Sequence, residues 1–148
     1  MKRFRKLAIG LLALVAAIQL VPVNRSNPPV TGEPGMTAEV EEVLTRACFD
    51  CHSNRTVWPW YSRVAPLSWF VANHVKEGRE HLNFSTWDAV SPSDRAKAAE
   101  EVAEEVDEGK MPMTSYVVGH PSAQLSELDR QQLLSWARTL APAEEVKR

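Results

Sequence analysis

The motif Cys48-Phe49-Asp50-Cys51-His52 constrains this chain more than any other feature of its sequence. Two cysteines separated by two residues and followed by a histidine form the C-x-x-C-H pattern typical of covalent c-type haem attachment. On a helical turn both thiols lie on one side, where they can form thioethers with the two vinyl groups of one porphyrin. The histidine then lies beneath the ring as an axial ligand of the iron. The motif therefore predicts one haem c, bound through Cys48 and Cys51, with His52 as a metal ligand.

Paired cysteines also occur in zinc sites, redox dithiols and plain disulfides. A zinc site needs about four ligands, and the chain has no second cysteine pair. A thioredoxin-like dithiol follows a strand and opens a helix of a β-α-β unit, and no such pattern surrounds this motif. Covalent haem is therefore the favoured interpretation, and a disulfide is the simplest alternative.

The N-terminal segment has the composition of an export signal. Four cations lie within the first six residues, and residues 7–23 are almost wholly apolar, interrupted by Gln19 and Pro22. No small-x-small cleavage site follows this run. Residues 1–23 are therefore predicted to form an uncleaved signal anchor in a bacterial inner membrane, with the domain on the periplasmic side. If the segment is instead a cleaved signal peptide, the domain is soluble in the periplasm.

Composition divides the rest of the chain into three parts. Residues 24–36 contain three prolines and two glycines and are predicted to form an extended linker. Residues 37–141 make one small domain, and residues 142–148 a C-terminal tail. Beyond residue 23 there are 13 Lys and Arg against 19 Asp and Glu, so the domain should not bind nucleic acid. A core this small would gain much from a large apolar cofactor.

Apolar residues recur at helical spacing, and no segment shows a convincing strand pattern. The fold class is therefore predicted to be all-α. Ser91 and Ser126 are predicted N-caps, each with an Asp three residues later. The predicted helices run from about residue 37 to 52, from 66 to 78, from 91 to 109 and from 126 to 141.

The second axial ligand of the iron is predicted to be a methionine. Met111 lies in an irregular segment after the third helix, and the proline that follows it limits the freedom of the loop. A thioether opposite a histidine raises the haem potential. Met113 is the second choice, and His120, in the loop before the last helix, is the strongest histidine rival. His74 and His81 are more simply explained as a core residue and a surface residue.

Aromatic and basic side chains near the motif could bind the edges of a haem. A tryptophan or tyrosine ring can form a wall beside a porphyrin, and an arginine can pair with a propionate. The candidates for these roles are Trp58, Trp60, Tyr61, Arg55, Arg63 and Arg79. The acidic run between Glu100 and Glu108 is interpreted as a solvated helix face, with a docking patch for a cationic partner as the minority view.

Several short strings occur in a recognisable order. They are Cys48–Asn54, Trp58–Ser62, Ala65–Trp69, Glu77–Arg79, Leu82–Trp87, Lys110–Pro112 and the single residue Tyr116. Together they resemble the bacterial haem-binding-domain family of small c-type cytochromes over roughly residues 40 to 140. The resemblance implies an exported, often membrane-anchored protein with a single haem. The Met-Pro element is also similar to that of class I cytochromes c, which implies a cytochrome c-like helical domain around the haem.

These features predict a protein that carries single electrons in a respiratory or redox chain and exchanges them with redox partner proteins. It is not expected to be an enzyme, and no catalytic residue is assigned. A haem-based gas sensor is an alternative in which a diatomic ligand displaces Met111, although no output domain accompanies it. A haem subunit of a peroxidase-type enzyme is a further alternative, but no distal His and Arg pair is identifiable at a readable spacing.

Overall fold

The computed structural model describes residues 1–140 and confirms the predicted all-α fold class. Within those residues there is no strand, and a single isolated β-bridge joins Gly32 to Thr86. Short 3-10 turns lie at Trp60–Arg63, Trp87–Ala89 and Pro121–Ala123. The helices are α1 Lys2–Ile18, α2 Ala38–Ala47, α3 Phe49–His52, α4 Leu67–His81, α5 Pro92–Asp107, α6 Thr114–Gly119 and α7 Glu127–Leu140.

The first predicted helix is interrupted at Cys48, where the backbone leaves the helical region (φ −130°). The amide of Cys48 still donates to the carbonyl of Leu44 (2.8 Å), which completes α2. The carbonyl of Cys48 then accepts from the amides of Cys51 and His52, which makes α3 a new single turn. The haem motif is therefore a separate turn that changes direction at its first cysteine, where the periodicity indicated a continuous helix.

The core joins α2, α5 and α7 around Phe84, which lies in the connection after α4. The Phe84 ring contacts Trp136 of α7 and Phe49 of α3, with centroids 5.7 and 5.9 Å apart. Leu44 of α2 and Leu133 of α7 are almost fully buried beside it. This core supports α3 from behind.

Both predicted N-caps are confirmed. The Ser91 hydroxyl accepts from the amide of Asp94 at the start of α5, and the Ser126 hydroxyl accepts from the amide of Asp129 before α7. The Asp129 carboxylate accepts from the Ser126 amide in return (2.7 Å), which closes a capping box. The short helix α6 was not predicted, because its six residues show no helical periodicity of apolar side chains.

The second predicted helix does not end at Gly78, because α4 continues to His81. Gly78 has another role, since it lies where α4 passes closest to α3. A Cβ on this residue would lie 2.7 Å from the carbonyl oxygen of Cys51 and 3.0 Å from its Cβ. The glycine therefore permits a close approach of two backbones.

The predicted signal anchor is not supported. Helix α1 has 17 residues, which is about 26 Å of helix, and four of the first five are cations. The hydrocarbon core of a bilayer is about 30 Å thick. Among the helices of residues 1–140, none combines the length and the apolar character needed to cross a membrane. The predicted tail, residues 142–148, lies outside the described residues.

Residues 24–36 form no helix, and they lie against the domain. The side-chain amide of Asn27 donates to the carbonyl of Thr56 (2.9 Å), and that of Asn54 donates to Pro29 (2.9 Å). The Trp136 indole donates to the carbonyl of Gly35 (2.8 Å). The segment therefore contributes hydrogen bonds to the loop that follows the haem motif.

Candidate functional site

A cavity of about 580 Å³ lies between α3, α4, α5 and the segment that leads into α6. Pockets for small molecules and cofactors are roughly 300–1,000 Å³, so this volume suits a large ligand. Most of its surface is apolar. The apolar lining residues are Leu44, Ala47, Leu82, Phe84, Val102, Val106 and Leu133.

Both cysteines of the motif line this cavity as free thiols. Burial raises the pKa of the Cys48 thiol to about 12 and that of the Cys51 thiol to about 11. Reactive redox cysteines have thiol pKa values at or below neutrality. These two thiols are therefore protonated at neutral pH, and the site does not have the electrostatics of a redox dithiol.

His52 also lines the cavity, and its ring orientation is set by the chain. Its Nδ1 lies 3.1 Å from the carbonyl oxygen of Leu82. Because a carbonyl only accepts, Nδ1 carries the proton and Nε2 keeps its lone pair. Burial lowers the pKa of His52, so the ring is neutral at pH 7. A neutral imidazole with a free Nε2 is the form that ligates a metal.

The carboxyl end of α5 directs residues 110–113, here named the methionine segment, into the cavity. Gly109 has φ +68°, and its amide donates to Val106, while the amide of Lys110 donates to Glu105 (3.0 Å). This is a Schellman motif, which ends the helix and turns the chain back. The amide of Met111 also donates to the Glu105 carbonyl (3.0 Å). Met111, Pro112 and Met113 all line the cavity.

Tyr116 connects this segment to the haem motif; it is one of the residues that resemble the haem-binding-domain family, but no contact was predicted for it. It lines the cavity, and its hydroxyl donates to Oδ2 of Asp50 (2.8 Å), inside the motif. The other carboxylate oxygen of Asp50 accepts from the amide of Val57 (2.7 Å). Burial, reinforced by the bond to Asp50, raises the pKa of Tyr116. The partner of this tyrosine is in a different helix, so sequence spacing alone held no signal for it.

The histidines considered as alternatives to Met111 do not lie where the sequence predicted. His120 is not among the lining residues; its ring stacks on Tyr116 (centroids 4.2 Å apart), and its Nε2 lies 3.4 Å from the Tyr61 hydroxyl. His74 and His81, by contrast, line the cavity from α4. Four acidic residues also line it, so part of the acidic face of α5 borders the cavity. They are Glu77, Glu101, Glu104 and Glu105.

All six of the predicted haem-edge residues lie outside the lining of the cavity: Trp58, Trp60, Tyr61, Arg55, Arg63 and Arg79. The Trp58 indole donates to Oδ1 of Asn27 (3.2 Å), and Trp60 is 77% exposed. Arg79 is bound within the chain. Its guanidinium donates to the carbonyls of Ser53 and Ser26, to Oδ1 of Asn27 and to the Thr56 hydroxyl, all at 2.8–2.9 Å.

Arg79 therefore connects three segments behind the motif: residues 24–36, the loop after α3, and α4. Fork-shaped guanidinium groups suit such multiple bonds, because their donors lie in one plane. The sequence placed Arg79 among the haem-edge candidates for its charge, but its contacts depend on segments far apart in the chain.

A family model described as "Haem-binding domain" matches residues 13–139. The chain belongs to this haem-binding domain family. The match covers most of the chain and includes the motif, the cavity and the methionine segment. No curated protein and no solved structure gave a significant match to the chain.

The residues of the cavity fit the group that gives the family its name. Two free thiols and an imidazole come from one turn, and two thioethers come from the segment that leads into α6. The rest of the lining is largely apolar, as a porphyrin face requires. The protein is thus a haem-binding protein with its donor atoms gathered in one cavity.

Proposed function

We propose that this chain is an exported monohaem c-type cytochrome that transfers single electrons between redox partner proteins. The observation that supports it best is that Cys48, Cys51 and His52 face one cavity of about 580 Å³. A haem bound there supplies an iron that can gain and lose one electron. The protein has no assigned catalytic residue in this proposal.

The residues of the motif would hold the haem through two kinds of bond, from the thiols to the porphyrin and from the imidazole to the iron. Cys48 and Cys51 provide the sulfurs for two thioether bonds, and His52 offers Nε2 to the iron. The carbonyl of Leu82 holds the proton on Nδ1, which fixes the tautomer and the ring direction. The apolar side chains of α2, α5 and α7 that line the cavity would pack against the porphyrin.

Met111 is the proposed second axial ligand. Its backbone is fixed by the hydrogen bond to the Glu105 carbonyl, and a proline follows it, so its side chain starts from a defined position. Met113 also lines the cavity and is the matched alternative. A thioether is a soft, neutral donor that favours ferrous iron and therefore raises the potential.

Electron transfer is favoured over the other haem functions by the composition of the cavity. Among the described residues that line it, none is an arginine, the residue that would accompany a histidine in a peroxidase-type site. Two methionines are available to fill the second axial position. Covalent c-type haem is attached outside the bacterial cytoplasm, so the cationic and apolar N-terminal segment is proposed to direct export to the periplasmic side of the inner membrane.

Carbon monoxide binding by the reduced protein tests this proposal. The unmodified protein should bind little, because both axial positions are filled, and its oxidised form should show the near-infrared band of methionine ligation. Met111→Ala should lower the reduction potential and allow carbon monoxide to bind. Met113→Ala and His120→Ala are the matched controls and should change the spectrum much less.

Rapid carbon monoxide binding by the unmodified protein would contradict the electron-carrier proposal and favour a sensor or an enzyme. If Met113→Ala opened the iron and Met111→Ala did not, the ligand assignment would move to Met113 and electron transfer would stand. Loss of the six-coordinate spectrum in His120→Ala alone would replace methionine by histidine.

A further inference from the structure

The surface beside the end of α1 is unusually apolar for a part of a protein that faces solvent. Trp60, Val64, Leu67 and Phe70 are 77%, 44%, 51% and 52% exposed, and we name them the apolar face. They lie in the Trp60–Arg63 turn, in the residues after it and in the first turn of α4. Four large apolar side chains exposed within eleven consecutive residues are more than scattered single exposures, and clustered apolar surface marks an interaction site.

Helix α1 ends beside this face through a specific pairing. The Gln19 side chain accepts from the amide of Ala65 (2.9 Å) and donates to the carbonyl of the same residue (3.3 Å). Arg25 donates to the carbonyl of Ser62 (3.1 Å). Gln19, the C-cap of α1, is a polar residue within the apolar run of residues 7–23, and its side chain is paired with Ala65. The carboxyl end of α1 is thus held at Ala65, between Val64 and Leu67 of the apolar face.

No residue of α1 is buried against the rest of the described chain. Its leucines, together with Phe4 and Ile9, are largely exposed. A helix that is apolar around most of its circumference needs an apolar environment, and residues 1–140 do not provide one. Within the described part of the chain, the side chains of both surfaces stay exposed.

Charge is distributed unevenly along the chain, and this distribution indicates what kind of surface would cover the exposed apolar side chains. Residues 1–32 and 57–75 contain six Lys and Arg and not one Asp or Glu. All 19 acidic residues lie elsewhere, including the acidic helix α5. The segments that carry the apolar surfaces are therefore cationic within an otherwise acidic protein. This combination suits a surface that is apolar inside and anionic outside.

We propose that the apolar face rests on an anionic lipid bilayer, with the Trp60 and Phe70 rings at the level of the headgroups. Tryptophan and phenylalanine favour this depth, where an apolar ring meets a wet, charged layer. Arg25 and Arg63 then lie close to lipid phosphates, while the acidic face of α5 stays in water. The proposal goes beyond the haem function and does not depend on it.

Hydroxyl-radical footprinting of the full-length haem protein tests the proposal. The probe is a vesicle of phosphatidylethanolamine and phosphatidylglycerol, and the readout is the oxidation rate of individual side chains with and without vesicles. Trp60 and Phe70 should become several-fold less reactive on vesicles. Leu128, which is 64% exposed on α7, is the internal control and should not change.

A matched pair of variants measures the contribution of the face to binding. Trp60→Ser with Phe70→Ser should lower the partition of the protein onto these vesicles on the order of tenfold. Leu128→Ser removes an exposed apolar group on α7 and should leave partition unchanged. The partition of the unmodified protein should also weaken as salt is raised, because the attraction between surface charges is screened.

Two results would overturn the proposal. In the first, the protein does not bind the vesicles. In the second, it binds while Trp60 and Phe70 stay as reactive as in solution, which would mean that α1 alone makes the contact. The footprint on the unmodified protein decides the matter even if the double variant fails to fold. The haem spectrum reports separately on the haem function.

Discussion

The two sides of the haem cavity are held in place in very different ways. On one side, the attachment turn (residues 48–52) is supported from behind by hydrogen bonds to buried residues. Ser53 donates to the carbonyl of Phe49 (2.7 Å), and the amide of Phe84 donates to the carbonyl of His52 (2.8 Å). On the other side, the methionine segment (residues 110–113) depends on backbone bonds to the end of α5 and on the Tyr116–Asp50 bond.

This difference follows the chemistry that each side would perform. Under the proposed function, the attachment turn presents two sulfurs and one nitrogen to a single rigid ring, so small displacements there are costly. The methionine segment has to deliver one soft atom from a flexible side chain, which tolerates adjustment. We therefore expect changes behind the attachment turn to be more damaging than changes in the methionine segment.

Removing both thiols should give the largest effect on this comparison. Cys48→Ala with Cys51→Ala should leave no haem on the polypeptide after acid–acetone extraction, because no thioether can form. Haem staining of a denaturing gel measures this, with His120→Ala as a control that should keep its haem. Freely extractable haem from the unmodified protein would contradict covalent attachment.

Removing the arginine behind the attachment turn should be the next most damaging change. Arg79→Ala loses four hydrogen bonds made by a partly exposed guanidinium and should lower the free energy of unfolding by about 3 kcal/mol. Urea unfolding measures this. Arg138→Ala, on an exposed position of α7, should change it by less than about 0.5 kcal/mol. Equal effects of the two variants would show that the network behind the turn contributes little.

Adding one methyl group at the closest approach of α3 and α4 should cost about 2 kcal/mol. Gly78→Ala places a Cβ at 2.7 Å from the Cys51 carbonyl oxygen, which outweighs the gain in helix propensity of about 1 kcal/mol. Gly119→Ala is the matched control, because a Cβ at Gly119 would lie 3.6 Å from the Tyr61 hydroxyl, an ordinary contact distance. Thermal unfolding compares the two variants. A more stable Gly78→Ala protein would contradict the close approach.

Releasing the methionine segment should have the smallest effect. Tyr116→Phe removes the hydroxyl bond to Asp50 and should cost about 1 kcal/mol, since Asp50 keeps its bond from the Val57 amide. Faster amide exchange should be confined to residues 110–119. Tyr61→Phe, whose hydroxyl makes a longer contact of 3.4 Å with His120, should cost less. Faster exchange within the attachment turn would mean that the two sides are coupled and not independent.

Local features of the molecule were predictable from the sequence because each depends on neighbouring residues. The spacing of Cys48, Cys51 and His52 places their side chains on one turn, whatever surrounds it. The caps at Ser91 and Ser126 also depend on residues only three positions away. The apolar periodicity located α2, α4, α5 and α7 for the same reason, although it missed the break at Cys48.

Features that depend on distant segments were assigned otherwise or missed. Gly78 was expected to end a helix, and it instead permits α4 to touch Cys51. Arg79 was chosen as a possible partner of the haem, and the structure joins it to Ser26, Asn27 and Ser53. Tyr116 had no predicted role, because its partner Asp50 is 66 residues away.

Short-range spacing was enough to predict which atoms this protein can offer to a haem and which segments are helical. Tertiary structure decided which of those atoms share one cavity, which polar groups hold them there, and where apolar surface stays uncovered. The physical reason is that contacts between distant segments depend on how the helices pack, and helical periodicity indicates the buried side of a helix without naming what covers it.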